Sequence, residues 1–325
     1  MKMWQPDARV TGPFAATDDV IPELNRVFTE AFTDRYRRDG LVGVRVPALN
    51  NAIWRYALRD AGAGAMVWRD EQDQLVGFNI AHHSGVEGWM GPLAVRPDRQ
   101  GLGVGTVMVR GAIEWLQGEG ATTIGLETMP RTVDNIGFYS RLGFVPGHLT
   151  ITLGGEATGK SPRRRGDLLG EQDAADRADL LAACRARLGA SAPGYDFTRE
   201  HELTADLGIG DTIVLRAGDG TVTAFALWHA TPLAESRGLD ELRILKLFAE
   251  STAAFERVIG AVEACAVRLR IRRVAVRCQT RHPAAYQALV ARGYQVRWTD
   301  LRMTLDGHPE AALPPGEVLL SNWEI

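Results

Sequence analysis

"GPLAVRPDRQGLGVGTVMV", residues 91–109, is the stretch that decides the fold. An apolar run through Leu93, Ala94 and Val95 ends in a turn at Pro97. Gly101, Gly103 and Gly105 follow at alternate positions, and then Val107, Met108, Ala112, Trp115 and Leu116 fall at helical spacing. The order is strand, glycine turn, amphipathic helix. Glycine removes the side chain where backbone must approach a ligand, and the first N–H groups of a helix have no intrahelical partner. Such a turn is an anion site, suited to a pyrophosphate. It is not the dinucleotide fingerprint, because G-x-G-x-G followed by Thr106 lacks the third-glycine spacing.

Outward from this stretch, helices alternate with strands. "DDVIPELNRVFTEAFTDRYRRDG" reads as a helix closed by Gly40, with Phe28, Phe32 and Tyr36 on one core-facing side. "GAMVWRD", "QLVGFNIAHH", "VEGWMGPLAV" and "ATTIGLET" read as strands, "VDNIGFYSRLG" as a short helix and "HLTITL" as a last strand. The segment "LVGVRVPALNNAIW" reads as loop. After residue 170 the same order returns, and Gly143–Phe144 is answered by Gly293–Tyr294, 150 residues later. The expectation is an α/β chain with a mixed sheet (α+β), built as two tandem domains: 1–154, a linker over 155–170, and 171–325.

"GGEATGKS", residues 154–161, competes as a nucleotide site because it fits the phosphate-loop pattern through Lys160 and Ser161. That pattern needs a helix after it. Here "PRRRGDLLG" follows, and its proline and glycines oppose one. The segment reads as linker. Composition adds exclusions: 325 residues, 45% hydrophobic, 24% charged and a formal net charge of −3 offer nothing that draws nucleic acid or a membrane. No run approaches the roughly 18 apolar residues of a membrane span. Three cysteines without metal spacing and an N-terminus without a signal-peptide core point to the cytoplasm.

The loop at Gln100–Gly105, Q-x-x-G-x-G, together with Y-x-x-x-G-F at Tyr139–Phe144, resembles the GNAT superfamily of acyl-CoA N-acyltransferases over roughly residues 8–154. The resemblance implies acetyl-CoA as cofactor and an amine on a small molecule or peptide as acceptor. It implies that the backbone of Gln100, Gly101, Leu102, Gly103, Val104, Gly105 and Thr106 holds the pyrophosphate, and that Leu93, Ala94 and Val95 hold the pantetheine arm. Tyr139 is then the proton donor to the departing thiolate. Glu127, at the end of a strand and twelve residues before Tyr139, resembles the glutamate of the ribosomal-protein alanine N-acetyltransferases and is the expected base. Glu87, His82 or His83, acting through water, are alternatives. Many members carry asparagine seven residues before the tyrosine to touch the cofactor arm; here Thr132 stands there, with Asn135 one turn on. The second half departs further. "ESTAAF" (250–255) faces "QGLGVG", Leu289 falls at Tyr139 and Arg277 at Glu127, so that half keeps the pattern without the chemistry. A non-catalytic acyl-CoA-binding or scaffold protein is the rival expectation.

Overall fold

The computed structural model describes residues 9–157 and 166–323. The first half runs β1 (Thr11–Ala15), α1 (Ile21–Arg38), α2 (Asn51–Ala61), β2 (Ala65–Arg69), β3 (Leu75–Ser84), β4 (Glu87–Val95), α3 (Val104–Gly118), β5 (Thr123–Thr128), α4 (Val133–Ser140) and β6 (Phe144–Glu156). The second half runs β7 (Asp167–Leu168), α5 (Ala174–Ser191), α6 (Thr198–Asp206), β8 (Gly210–Arg216), β9 (Val222–His229), β10 (Glu241–Ala249), α7 (Thr252–Arg268), β11 (Arg273–Gln279), α8 (Pro283–Ala291), β12 (Gln295–Leu305) and β13 (Val318–Ser321). Residues 51–54 are helix rather than loop. Asn50 caps α2 by accepting from the Ala52 N–H, and Ile53, Trp54, Ala57 and Ala61 bury one face.

Among the described residues thirteen strands form one sheet, in the order β1-β2-β3-β4-β5-β12-β6-β11-β10-β9-β8-β7, with β13 added to β10. The halves trade their late strands. β5 pairs not with β6 but with β12, Gly125–Thr128 against Leu301–Thr304. In return β6 pairs with β11 along Thr150–Glu156. Each traded strand completes the other half's core. Met303 of β12 is buried with Val109, Leu116, Leu126 and Tyr139, and Leu153 of β6 with Val258, Val276 and Leu289. Truncating a buried Met or Leu to Ala typically costs about 2–5 kcal/mol, so each half depends on the other for its core.

The linker expected at 155–170 is shorter in consequence. Gly155 and Glu156 still belong to β6, and Asp167–Leu168 pairs with β8. Its middle, with Lys160 and Ser161 of the phosphate-loop match, lies outside the described residues. In the first half, α1 and α2 pack on one face of the sheet through Leu24, Phe28, Trp54 and Phe78, while α3 and α4 cover the other through Val109, Ala112 and Phe138. The sheet curls until α2 meets α6, and the Tyr56 ring of α2 lies 4.5 Å from the His229 ring at the end of β9. No helix among the described residues is long and apolar enough to cross a membrane.

Candidate active site

β4 and β5 run parallel for only four pairs, from Glu87–Thr123 to Met90–Leu126. At Gly91 and Pro92 the register of β4 against β3 slips. Gly91 has a φ of +145°, open to glycine but not to ordinary side chains, and Pro92 has no N–H to give to a ladder. The bulge re-aims β4 away from β5. Beyond it, Leu93, Ala94 and Val95 stay paired with Asn79, Phe78 and Gly77 on β3, while their opposite edge has no strand partner among the described residues. The result is a wedge lined on one side by unpaired backbone.

The glycine turn stands at the end of that wedge. Gly101 and Gly103 have φ of +77° and +89°, and Gly103 begins α3 without a side-chain cap. The N–H groups of Gly101, Leu102, Gly103, Val104 and Gly105 have no acceptor among the described residues. The two ends of the expected run differ. Gln100 turns its N–H to the Pro97 carbonyl at 3.4 Å and Thr106 turns its own to Gly103 at 3.0 Å. The Gln100 side chain instead donates to the Val95 carbonyl at 3.0 Å, tying the turn to β4. A Cβ on Gly105 would lie 3.3 Å from the Phe138 ring, so this glycine also lets α3 approach α4.

Tyr139 sits on α4 against Phe138 and Phe144. Burial pushes its hydroxyl pKa up to about 12, so it stays protonated at neutral pH. The hydroxyl has no hydrogen-bond partner among the described residues. Thr132 is wholly buried and donates its hydroxyl to Asp39 at the end of α1, at 2.6 Å. It therefore links α1 to the turn before α4 and has no proton left for a ligand. The Asn135 amide reaches the Thr128 hydroxyl at 3.4 Å.

Glu127 lies one residue beyond the last β4–β5 pair. It is held by the Arg277 guanidinium, by Arg302 Nη1 at 2.8 Å and by the Thr150 hydroxyl at 2.5 Å. Burial alone would raise its pKa, but the guanidiniums of Arg277 and Arg302 outweigh burial and hold it below the usual value. A carboxylate held in this way is a weak base, which argues against the proton-accepting role expected for it. Arg277 occupies the position of Glu127 in the second half, so the two counterparts pair directly across the traded strands. Arg302, 2% exposed, stacks 3.8 Å from the Trp89 ring centre and also binds Glu310 at 3.1 Å.

Of the alternative bases, Glu87 and His82 lie deeper. Glu87 is buried and accepts from Trp89 Nε1 at 2.9 Å and from the Ser321 hydroxyl at 2.7 Å; burial pushes its pKa up. His82 Nδ1 meets Asp60 at 2.5 Å, and its buried Nε2 has no partner among the described residues. Burial lowers the pKa of His83. Sequence reasoning missed Asp60, Lys246, Ser321 and Trp323 around these groups, because no local spacing joins them. Among the described residues no group of three His, Cys, Asp or Glu side chains gathers as a metal site.

In the second half the equivalent helix start is closed. Ser251 caps α7 by accepting from the Ala254 N–H at 3.2 Å, and no glycine turn precedes it. Phe255 and Leu289 are both wholly buried in the core of that half.

The site is thus a wedge between two parting parallel strands, ended by N–H groups at a helix start that has no side-chain cap. Residues 21–144 match the family described as "Acetyltransferase (GNAT) family", which makes the first half a GNAT domain. No curated protein matches the chain. Solved structures share its fold from end to end. A GCN5-related N-acetyltransferase from Sphaerobacter thermophilus is 15% identical with a TM-score of 0.60, over 95% of this chain and 99% of that one. A tandem GNAT protein from the clavulanic acid biosynthesis pathway is 12% identical at 0.60, over 93% and 100%. N-myristoyltransferase of Saccharomyces cerevisiae, solved with bound myristoyl-CoA and inhibitors, is 11% identical at 0.61, over 91% and 79%.

Proposed function

We propose that the chain is an acyl-CoA-dependent N-acyltransferase, in its simplest form an acetyltransferase, with a single active cleft in the first half and a primary amine on a small molecule or peptide as acceptor. One observation carries the reading: five successive free N–H groups, Gly101 to Gly105, beside the unpaired edge of Leu93–Val95. The residues fit coenzyme A. The N–H run, at a helix start, suits a pyrophosphate, and a free strand edge suits an arm that carries amides. Bound acyl-CoA supplies the thioester that the amine attacks.

The chain's own groups then have separable tasks. The edge at Leu93–Val95 offers N–H groups to the developing negative oxygen. Tyr139, protonated and without a competing partner, donates the proton the leaving sulfur needs, and the proton the amine gives up leaves through water. We assign Glu127 to charge pairing between the halves, not to proton transfer. Three free, buried cysteines fit the reducing, cytoplasmic setting we propose. The test is thiol release from acetyl-CoA across a panel of small amines, aminoglycosides, polyamines and peptide N-termini. Turnover with one class supports the reading. Tight coenzyme A binding with no turnover on any amine favours a non-catalytic binding protein instead.

A further inference from the structure

β10 and β11 repeat the geometry of β4 and β5. They run parallel for four pairs, from Glu241–Arg273 to Ile244–Val276, and β10 then slips register against β9 at Leu245. Leu247, Phe248 and Ala249, paired with Ala226, Phe225 and Ala224, stand where Leu93, Ala94 and Val95 stand on β4. On β4 the opposite edge is open. On β10 it is taken by β13, in the antiparallel pairs Lys246–Ser321, Leu247–Leu320, Phe248–Leu319 and Ala249–Val318. Val318 and Leu320 are buried in the core of the second half.

The end of β13 reaches the other half. The Ser321 hydroxyl donates to Glu87 and accepts from Lys246 Nζ at 2.9 Å. Trp323 lies against Trp89 and His82, with ring centres 5.7 and 5.8 Å apart, and Lys246 Nζ sits 3.4 Å from the centre of the Trp323 ring. Glu87 and Trp89 occupy the paired part of β4, just before the bulge that opens the first wedge.

We infer that β13 is a resident occupant of the second half's cofactor slot and, through Ser321 and Trp323, a strap that positions β4 of the first half. That the slot is one for a cofactor rests on the function proposed above; the strap does not. A backbone ladder satisfies the edge of β10 as an amide-bearing arm would. Because β13 is tethered, it fills the slot at a high effective concentration, and a free ligand must displace it. One short segment therefore closes one wedge and braces the hinge of the other.

Hydrogen exchange on the full chain tests both parts. In the ligand-free protein, amides of 318–321 should exchange as slowly as those of β9; fast exchange there overturns occupancy. Ser321→Ala removes a hydrogen bond to a buried carboxylate, a loss that usually corresponds to a tenfold change or more. It should speed exchange at 87–90 by about that factor and leave β1, β2 and β8 as they were, and Ser321→Thr should restore the wild-type rates. Acceleration spread evenly over the chain, or confined to the second half, overturns the strap. Added coenzyme A should slow exchange at 93–106 and leave 246–251 unchanged; slowing at 246–251 overturns occupancy. Slowing nowhere would tell against the proposed function and leave the strap standing.

Discussion

Replacing Glu127 by glutamine tests what holds the two halves together. The change keeps shape and volume but removes the charge that faces Arg277 and Arg302. Breaking a buried ion pair by neutralising one partner costs about 3–5 kcal/mol. Two features reduce that here. Glu127 keeps 17% of its side chain exposed, and each arginine retains a second carboxylate: Asp300 at 3.1 Å for Arg277 and Glu310 at 3.1 Å for Arg302. We therefore expect a loss of about 2–3 kcal/mol at neutral pH, read as a lower urea midpoint at unchanged slope.

The pH dependence fixes the sign. The folded pKa of Glu127 lies below its unfolded value, so its stabilisation is complete above the ordinary carboxylate value of about 4.3 and is lost as pH falls through the lower folded value. Wild type and Glu127→Gln should converge in strong acid. Were Glu127 instead the catalytic base, the variant would match wild type in stability, within about 0.5 kcal/mol, and would lose the acidic limb of kcat/KM. That pair of results refutes the charge-pairing role.

Tyr139→Phe should lower kcat by roughly 10²–10⁴-fold with little change in coenzyme A affinity; near-wild-type turnover, where chemistry limits the rate, removes Tyr139 from the mechanism. Burial lowers the pKa of His201 to about 3 and of His282 to about 4. Both folded values lie below the unfolded value of about 6.5, so stability should be full above pH 6.5 and fall as pH drops from there toward these values. Urea midpoints measured from pH 7 to 4 should show a shallower fall in His201→Gln than in wild type, and parallel curves would contradict this.

The glycine turn was legible because its parts are local: the apolar triplet, the glycines and the following helix occupy one stretch, and each acts through the conformation of its own residues. The bulge at Gly91–Pro92 that opens the wedge was not read, because the run 86–95 looks like one unbroken strand. The repeat was legible for the same reason. What escaped was non-local. β6 and β12 carry the same alternation whichever sheet they join, so the trade of strands leaves no mark on periodicity. Glu127 reads as a strand-end carboxylate until Arg277 and Arg302, 150 and 175 residues away, are brought beside it. β13 is four residues long and its pairing with β10 is set by a bulge at Leu245, so neither its existence nor its place was readable. α2 was a different kind of miss: its cap and its apolar spacing were present, but the preceding glycine- and proline-rich residues drew the whole segment toward loop.

Calorimetric titration with coenzyme A tests the central claim most directly, run on wild type and on Gly103→Asp. Gly103 has a φ of +89° in the uncapped start of α3. A side chain there is strained by about 1–2 kcal/mol, and a carboxylate adds like charge against a pyrophosphate. The account predicts one coenzyme A per wild-type chain and no measurable binding in a folded Gly103→Asp chain. Two molecules per chain, or binding retained in the variant, would contradict it.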